Sequence, residues 1–240
     1  MIGPGQYLRP YGEDQSMTTT TTVRPVDEPI LRTPTLADVE ARLQVPADRI
    51  LLHPTPGTAT VDDVVAIRNR ERRICELVDG VLVEKTMGFR ESVFACVLIQ
   101  ILKNYVDQHR SGLIAGPDGM MTLAPGLVRI PDVSFVSRDQ FPSGRPGNEP
   151  VPRLIPNLAV EILSPGNSPA EMDQKLRDYF AAGSQLVWYL DPSDRTVRVY
   201  RSPENFIVLD ESGTLDGEEV LPGFRLPISE WFSRAERPFD

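Results

Sequence analysis

Two acidic residues lie in segments of the chain whose other residues are mostly apolar. Asp132 occurs in RIPDVSFV and Glu161 in LAVEILS, and both segments have the pattern of a buried strand. A carboxylate in an apolar interior is strongly disfavoured unless it binds a partner or takes up a proton. If the two strands are neighbours, the two acids can meet at a hard cation, which prefers oxygen ligands. The alternative is that each acid faces solvent or pairs with Arg129 or another arginine.

The segment after Glu161 has the signals of a helix that packs on a sheet. Ser168, Pro169 and Glu171 are predicted to supply an N-cap, a proline in the first turn and a capping-box acid. Apolar residues then recur at helical spacing, which indicates the face that meets the sheet: Met172, Leu176, Tyr179 and Phe180.

Lys175 lies at the edge of this apolar face, three residues after Met172. The helix is therefore expected to carry the Lys175 ammonium near the end of the Glu161 strand. The chain has only three lysines among its 25 basic residues, so a lysine at this position indicates a need for a compact point charge. The alternative is a surface lysine whose apolar stem covers the helix while its charge stays in water.

The composition argues against several classes of protein. The 240 residues are 40% hydrophobic, their formal net charge is −9, and no apolar run is long enough for a membrane span. With two cysteines and two histidines, the sequence does not favour a disulfide framework, a cysteine zinc site or a histidine-based triad. Residues 202–240 hold nine acidic and three basic residues, whereas the middle of the chain is nearly neutral. This distribution argues against an architectural nucleic-acid binder more than against an enzyme.

The sequence divides into three regions. Residues 1–33 are rich in proline, glycine and polar residues, and we predict that they are disordered. They lack the basic and apolar regions of a secretory signal, so we expect a cytoplasmic protein. Residues 34–70 are predicted to form a short helical lead-in, with helices that start at Thr35 and Thr60. Residues 71–240 are predicted to form the main domain.

Helices and strands alternate in the main domain. RRICELVDGVLVEK predicts two strands joined by a type I′ turn at Asp79-Gly80. A buried helix is predicted from Ser92 to Val106, and LVRIPDVSFVS and LAVEILS are predicted to be strands. The acidic C-terminal segment is predicted to add smaller edge strands, ENFIVLD and EEVLPGF. These elements predict an α/β fold with a mixed sheet.

The order of these motifs resembles a known group of nucleases. A Pro-Asp pair, then Glu-Ile-Leu-Ser-Pro, then a helix with an inward lysine is similar to the PD-(D/E)XK restriction-endonuclease-like superfamily, and more closely to its Uma-type restriction endonuclease family. The resemblance runs from Cys75 to Phe232 and includes CELVDGVLVEK, VRIPDVSFV, PNLAVEILSPGNSPAEMDQKLRDYFAAG, LVWYLDP and LPGF. It implies a restriction-endonuclease-like core, in which helices flank a mixed central β-sheet.

The resemblance also implies roles for the polar residues. Asp132 and Glu161 would bind Mg²⁺ or Mn²⁺, and Lys175 would orient or help to activate the attacking water. Where many superfamily nucleases have a lysine, this chain has Leu163, and in the Uma-type family a lysine of the following helix is taken to replace it. The implied reaction is metal-assisted hydrolysis of a phosphodiester bond, in which the cation offsets charge on the phosphate and lowers the pKa of a water.

Three further acids are weaker candidates. Superfamily nucleases often carry a glutamate on the first long helix, which makes Glu91 a fourth candidate catalytic residue, although relatives often have a histidine in this region. The alternative for Glu91 is a favourable acid in the first helical turn. Glu76 and Asp79 of CELVDG either belong to the outer part of the site or serve the hairpin, and we favour the hairpin.

These residues leave more than one function open. The first hypothesis is a metal-dependent endonuclease that cleaves DNA, favoured by three polar residues in otherwise apolar settings. The second is a non-catalytic nuclease-fold protein used for protein interaction or assembly, favoured by the acidic charge and by the absence of a helix-turn-helix or zinc-finger motif. A metal-dependent hydrolase with another substrate is a third. A homodimer would suit the cleavage of both strands of a duplex, because the duplex has two-fold symmetry.

Overall fold

A computed structural model describes residues 35–238, all within the compact unit Pro34–Asp240. The predicted disorder of residues 1–33 lies outside the described residues. The helices are α1 (Leu36–Leu43), α2 (Val61–Glu71), α3 (Phe89–His109), α4 (Pro169–Ala182) and α5 (Ile228–Ala235). The strands are β1 (Cys75–Val78), β2 (Val81–Glu84), β3 (Gly112–Ala115), β4 (Met121–Ala124), β5 (Leu127–Arg129), β6 (Val133–Ser137), β7 (Leu158–Ile162), β8 (Leu186–Asp191), β9 (Thr196–Ser202), β10 (Asn205–Leu209), β11 (Thr214–Asp216) and β12 (Arg225–Pro227).

A six-stranded sheet with the order β10-β9-β8-β7-β6-β3 forms the centre of the described fold. β7 and β8 are parallel, and the other neighbouring strands of this sheet are antiparallel. Parallel neighbours need a long crossover connection, and α4 supplies it. The predicted α/β class with a mixed sheet flanked by helices is therefore confirmed. The other strands form a four-stranded sheet, β2-β1-β5-β4, and the pair β11-β12.

Alternate residues of β7 face different helices. Val160 belongs to the apolar cluster that contains the buried side of α3, whereas Ala159 packs with Met172 and Tyr179 of α4. Because successive side chains of a strand point to opposite faces, Glu161 lies on the same face as Ala159. The apolar side of α4 therefore covers the face of the sheet that carries Glu161.

The β1–β2 hairpin has the predicted turn. Asp79 and Gly80 have φ values of 50° and 70°, as a type I′ turn requires. Glycine is needed at the second position for a further reason, because a Cβ on Gly80 would lie 2.5 Å from the carbonyl carbon of Gly57. Short strands on either side of the turn pair in register from Cys75↔Glu84 to Val78↔Val81.

The segment LVRIPDVSFVS forms two strands rather than the single strand that the sequence predicted. β5 ends at Arg129 in the four-stranded sheet, and β6 begins at Val133 in the six-stranded sheet. Pro131 has no N–H to donate to a strand ladder, which is consistent with a break at this point. Asp132 therefore lies in the link between the two sheets, directly before β6, and not inside a strand.

The helix starts agree with the predicted caps, with one exception. Asp38 and Asp63 accept hydrogen bonds from the backbone N–H groups of Thr35 and Thr60, each at 2.8 Å. The predicted buried helix is α3, which extends beyond the expected ends at both termini. Within residues 35–238, no helix has both the length and the apolar character needed to cross a membrane.

Glu171 is the exception, because it does not complete a capping box. The Ser168 hydroxyl accepts a hydrogen bond from the Glu171 N–H at 3.0 Å, as expected for an N-cap. The Glu171 carboxylate instead pairs with Arg49, with 2.9 Å between Arg49 Nη1 and Glu171 Oε2. The Glu171 side chain is only 2% exposed, so its carboxylate is costly to bury without a positive partner, and Arg49 is that partner.

The C-terminal region contains a helix that the sequence analysis missed. ENFIVLD forms the edge strand β10, as predicted, but EEVLPGF is a turn, and β11 and β12 pair around it. Ile228, Trp231 and Phe232 of α5 are fully buried, and Trp231 Nε1 donates a hydrogen bond to the Phe94 carbonyl at 3.0 Å. Their i, i+3, i+4 spacing was the available signal for an amphipathic helix.

We expect the α5 contact to stabilise the fold strongly. Phe232→Ala should lower the free energy of unfolding by about 3–5 kcal/mol, because it removes a fully buried ring and leaves a cavity. Phe89→Ala is the matched control, since the Phe89 side chain is 88% exposed, and it should change stability by no more than about 0.5 kcal/mol. Urea denaturation followed by circular dichroism measures both. Equal stability of the two variants would contradict this account of the core.

Candidate active site

Two side chains of α4 bind the Glu161 carboxylate. Glu161 is 4% exposed, and its Oε1 accepts a hydrogen bond from the Tyr179 hydroxyl at 2.6 Å. The Lys175 Nζ lies 3.3 Å from Oε1 and 3.4 Å from Oε2 of Glu161. Lys175 and Tyr179 are four residues apart and therefore project from the same side of the helix. The Glu161 charge is thus neutralised inside the protein and does not face solvent.

Asp132 is held where the chain passes between the two larger sheets. Its Oδ2 accepts a hydrogen bond from the Ile162 N–H at 2.7 Å, which attaches the aspartate to the end of β7 beside Glu161. Its Oδ1 lies 2.7 Å from Lys85 Nζ, and the same ammonium donates to the Ile130 carbonyl. The ion-pair partner of Asp132 is therefore a lysine, and not the arginine considered from the sequence.

Glu76 belongs to the same buried charge cluster. Its Oε2 accepts a hydrogen bond from Arg129 Nη1 at 2.7 Å, and its Oε1 lies 3.4 Å from Lys175 Nζ. Arg129 also donates from Nε to Asp178 of α4 at 2.9 Å. Asp79 lies at the hairpin turn, as favoured from the sequence. Glu76 is part of the hairpin too, but its carboxylate reaches the residues predicted to form the site.

The four residues predicted to be catalytic all line one small cavity. Asp132, Glu161, Lys175 and Glu91 border it, and its volume is about 20 Å³. A cavity needs roughly 10–15 Å³ to admit one water, so this space suits a single water or small ion. The other residues that line it are Arg49, Lys85, Thr86, Met87, Ile162, Ser164 and Asn167.

The position of Glu91 agrees with both roles considered from the sequence, a catalytic residue and an acid in the first helical turn. It lies in the first turn of α3, where a negative charge interacts favourably with the helix dipole, and it also lines the cavity. Its carboxylate folds back over Gly88, so that a Cβ at this glycine would lie 2.1 Å from Glu91 Oε2. Glycine at position 88 therefore leaves the room that this orientation of Glu91 needs.

Burial and neighbouring charges shift the pKa values of the site in different directions. Burial raises the pKa of Glu161 above its usual range, and Lys175 and Lys85 offset only part of this effect. Burial would also raise the pKa of Glu76, but Lys175, Arg129 and Lys85 outweigh it and lower the pKa to about 2. The pKa of Lys175 is raised, because Glu161 and Glu76 outweigh the opposite effect of burial. Glu76 is therefore ionised at neutral pH.

The oxygen donors around the cavity suit Mg²⁺ better than a metal that takes all of its ligands from the protein. Asp132 and Glu161 offer hard carboxylate oxygens at one end of β7. Among residues 35–238, no three His, Cys, Asp or Glu side chains are grouped closely enough to hold a metal by themselves. Mg²⁺ is usually bound by one or two carboxylates, with waters and substrate oxygens as its other ligands. Two carboxylates are therefore a sufficient protein contribution.

Three side chains of the cluster were not assigned to the site from the sequence: Lys85, Arg129 and Glu76. Glu76 in CELV has the same signal as Asp132 and Glu161, a single acid among apolar strand residues. Lys85 had a weaker signal, as one of only three lysines. Leu163, at the position where superfamily nucleases have lysine, packs in the apolar cluster with Met172 and Tyr189.

We expect Glu76 to stabilise the fold in a pH-dependent way. Glu76→Gln should lower the free energy of unfolding at neutral pH by about 3–5 kcal/mol, because Arg129 and Lys175 lose a buried counter-ion. The folded pKa of Glu76, about 2, is below its ordinary value of 4.5, so its stabilising effect is complete above pH 4.5 and is lost as the pH falls toward 2. The stability difference between wild type and variant should shrink over this interval.

Urea denaturation at several pH values tests the expectation for Glu76. The exposed Glu40 of α1 provides the control, and Glu40→Gln should stay within about 0.5 kcal/mol of the wild type. A Glu76→Gln difference that is small at neutral pH, or that grows as the pH falls, would contradict the role of Glu76 as the ionised partner of two cations.

Comparison with solved structures supports the nuclease-like fold. The chain is similar to the crystal structure of a protein described as a putative nuclease belonging to DUF820 from Anabaena variabilis, with a TM-score of 0.60 and 23% sequence identity. The match covers 68% of this chain and 92% of that chain. At this identity the likeness establishes a shared fold. A comparison with curated proteins gives no match.

A protein-family model covers most of the chain. The model of the Uma2 family, described as "putative restriction endonuclease", matches residues 61–229. This range contains every side chain placed at the cavity except Arg49. The resemblance to the Uma-type family is therefore confirmed, and the chain belongs to the Uma2 family.

Proposed function

We propose that this protein is a metal-dependent endonuclease that hydrolyses phosphodiester bonds in DNA. One observation carries the proposal: Asp132, Glu161 and Lys175 come from a link, a strand and a helix, yet all border the same small cavity. Membership of a restriction endonuclease family supports a nuclease role and DNA as the substrate. We infer further that cleavage depends on a divalent metal and occurs within the DNA chain.

Asp132 and Glu161 are the residues that would hold Mg²⁺ or Mn²⁺. A metal at this position would supply positive charge to the phosphate and lower the pKa of the attacking water. The chain prepares the two acids for this role, because the Ile162 N–H fixes Asp132 Oδ2 and the Tyr179 hydroxyl fixes Glu161 Oε1. Each carboxylate therefore keeps its orientation whether or not its ammonium partner moves.

Lys175 would place a second positive charge beside the reacting phosphate. Its Nζ is held between Glu161 and Glu76 at 3.3 Å and 3.4 Å, so the ammonium has little freedom to turn away from the cavity. A fixed charge in a buried site stabilises developing negative charge without reorganising during the reaction. Glu91 lines the same cavity, and we propose that it helps to orient the attacking water.

The proposed assembly and location follow from the substrate and the cysteines. Two copies related by a two-fold axis would present two such sites to the two strands of a duplex, so we propose a homodimer. Cys75 and Cys96 are both free thiols, which agrees with a reducing compartment such as the cytoplasm. Sedimentation of the purified protein tests the oligomeric state.

We expect cleavage of DNA to depend on Asp132 and Glu161. The wild type should convert supercoiled DNA to nicked or linear DNA in Mg²⁺ or Mn²⁺, and a chelator should stop the reaction. Asp132→Asn and Glu161→Gln should each lower the rate by about 100-fold or more, because each removes a charged oxygen ligand while keeping the side-chain shape. Cleavage is measured on supercoiled and on single-stranded DNA.

The matched control is Asp107→Asn on the exposed surface of α3, where Asp107 pairs with Lys103. This variant should cut DNA at the wild-type rate. Wild-type cleavage that survives Asp132→Asn would refute the assignment of the metal ligands. A folded wild type that cleaves neither substrate in either metal would refute the nuclease and favour the non-catalytic interaction protein.

A further inference from the structure

Lys85 is a buried lysine at the cavity whose role is not explained by the fold. It follows β2, its side chain is 7% exposed, and its Nζ contacts Asp132 Oδ1 and the Ile130 carbonyl. A lysine normally keeps its ammonium in water unless a charged partner holds it inside. The Asp132 carboxylate is that partner, at 2.7 Å.

The Lys85 contact lies at an oxygen that a metal could use. The Ile162 N–H donates to Asp132 Oδ2, and the Lys85 ammonium contacts the other oxygen, Oδ1. A divalent ion bound to Oδ1 would lie close to the Lys85 ammonium, and the two cations would repel each other. Metal binding at Asp132 and the Lys85–Asp132 ion pair are therefore mutually unfavourable.

Lys175 is in a different position, although it borders the same cavity. It has two carboxylate partners, so Glu76 continues to neutralise it when Glu161 is shared with a metal. Among the described residues, the ion pair that Lys85 makes is with Asp132 alone. Only Lys85 must give up its counter-ion when the site is filled.

We infer that Lys85 is a positioning residue that takes the place of the metal at Asp132 and must be displaced when the metal binds. The inference rests on the proposed function, because it assumes that Asp132 is a metal ligand. The ammonium keeps the buried aspartate neutralised while no metal is present. Once displaced, it remains at the cavity beside Thr86 and Met87, where the negative charge of a substrate phosphate is its replacement partner.

The inference predicts that removal of Lys85 strengthens metal binding. Lys85→Met in the full chain should bind Mn²⁺ at least about fivefold more tightly than the wild type in isothermal titration calorimetry without DNA, because the competing charge is gone. Lys103→Met is the matched control, since Lys103 is an exposed lysine on α3, and it should bind Mn²⁺ like the wild type.

Thermal unfolding gives a second measurement that does not depend on activity. Without metal, Lys85→Met should melt at a lower temperature than the wild type, because Asp132 loses its counter-ion. Added Mn²⁺ should raise the melting temperature of the variant by more than that of the wild type, because the ion replaces the lost charge. A lysine with only a structural role would lower the melting temperature without this larger gain.

The possible results separate the inference from the proposed function. If the wild type binds Mn²⁺ and Lys85→Met binds it equally or more weakly, the inference is overturned while the metal site stands. If Mn²⁺ binds neither protein, the metal site itself fails and the inference fails with it. Should Lys85→Met not fold, Lys85→Gln refolded with Mn²⁺ replaces it, and failure to fold even then would overturn the inference.

Discussion

Three buried carboxylates and three buried cations meet where the two larger sheets and α4 come together, and none of these charges would be stable there alone. Glu76, Asp132 and Glu161 are each at most 5% exposed. Their partners are Arg129, Lys85 and Lys175, at distances of 2.7 Å, 2.7 Å and 3.3 Å. Removing a charge from water is costly, and only close partners with further hydrogen bonds offset the cost. The positions of the surrounding elements are therefore tied to these pairs.

Each pair joins parts of the chain that are distant in sequence. Arg129 of the four-stranded sheet binds Glu76 of the same sheet and Asp178 of α4. Lys175 of α4 contacts Glu76 and Glu161 and so joins both larger sheets. The network gives stability and the arrangement of a reactive site from the same contacts. A change of any single member therefore affects both.

The position of Lys175 follows from the topology of the sheet. Leu163, near the end of the Glu161 strand, packs among apolar residues. Because β7 and β8 are parallel, the chain must return between them through α4, which lies on the Glu161 face of the sheet. Lys175 on the inner side of that helix therefore reaches the Glu161 carboxylate, with 3.3 Å between Nζ and Oε1.

The sequence by itself determined the class of fold and the principal polar residues. The apolar run of β7, the Asp79-Gly80 turn and the N-cap at Ser168 are local signals, because each depends on residues only a few positions apart. A single acid in an apolar strand is also recognisable from the sequence, because burial of an unpaired charge is so unfavourable. Asp132 and Glu161 could be chosen on that basis, and Lys175 from its place at the edge of an apolar helix face.

Only the tertiary structure decided which charges are partners. The break at Pro131 places Asp132 in the link between the two sheets. There it contacts Lys85, which is 47 positions earlier in the sequence. The same convergence adds Glu76 to the site and takes Glu171 away from the helix cap toward Arg49. Electrostatic pairing depends on distance in space and on exclusion of water, and neither can be inferred from residues that are far apart along the chain.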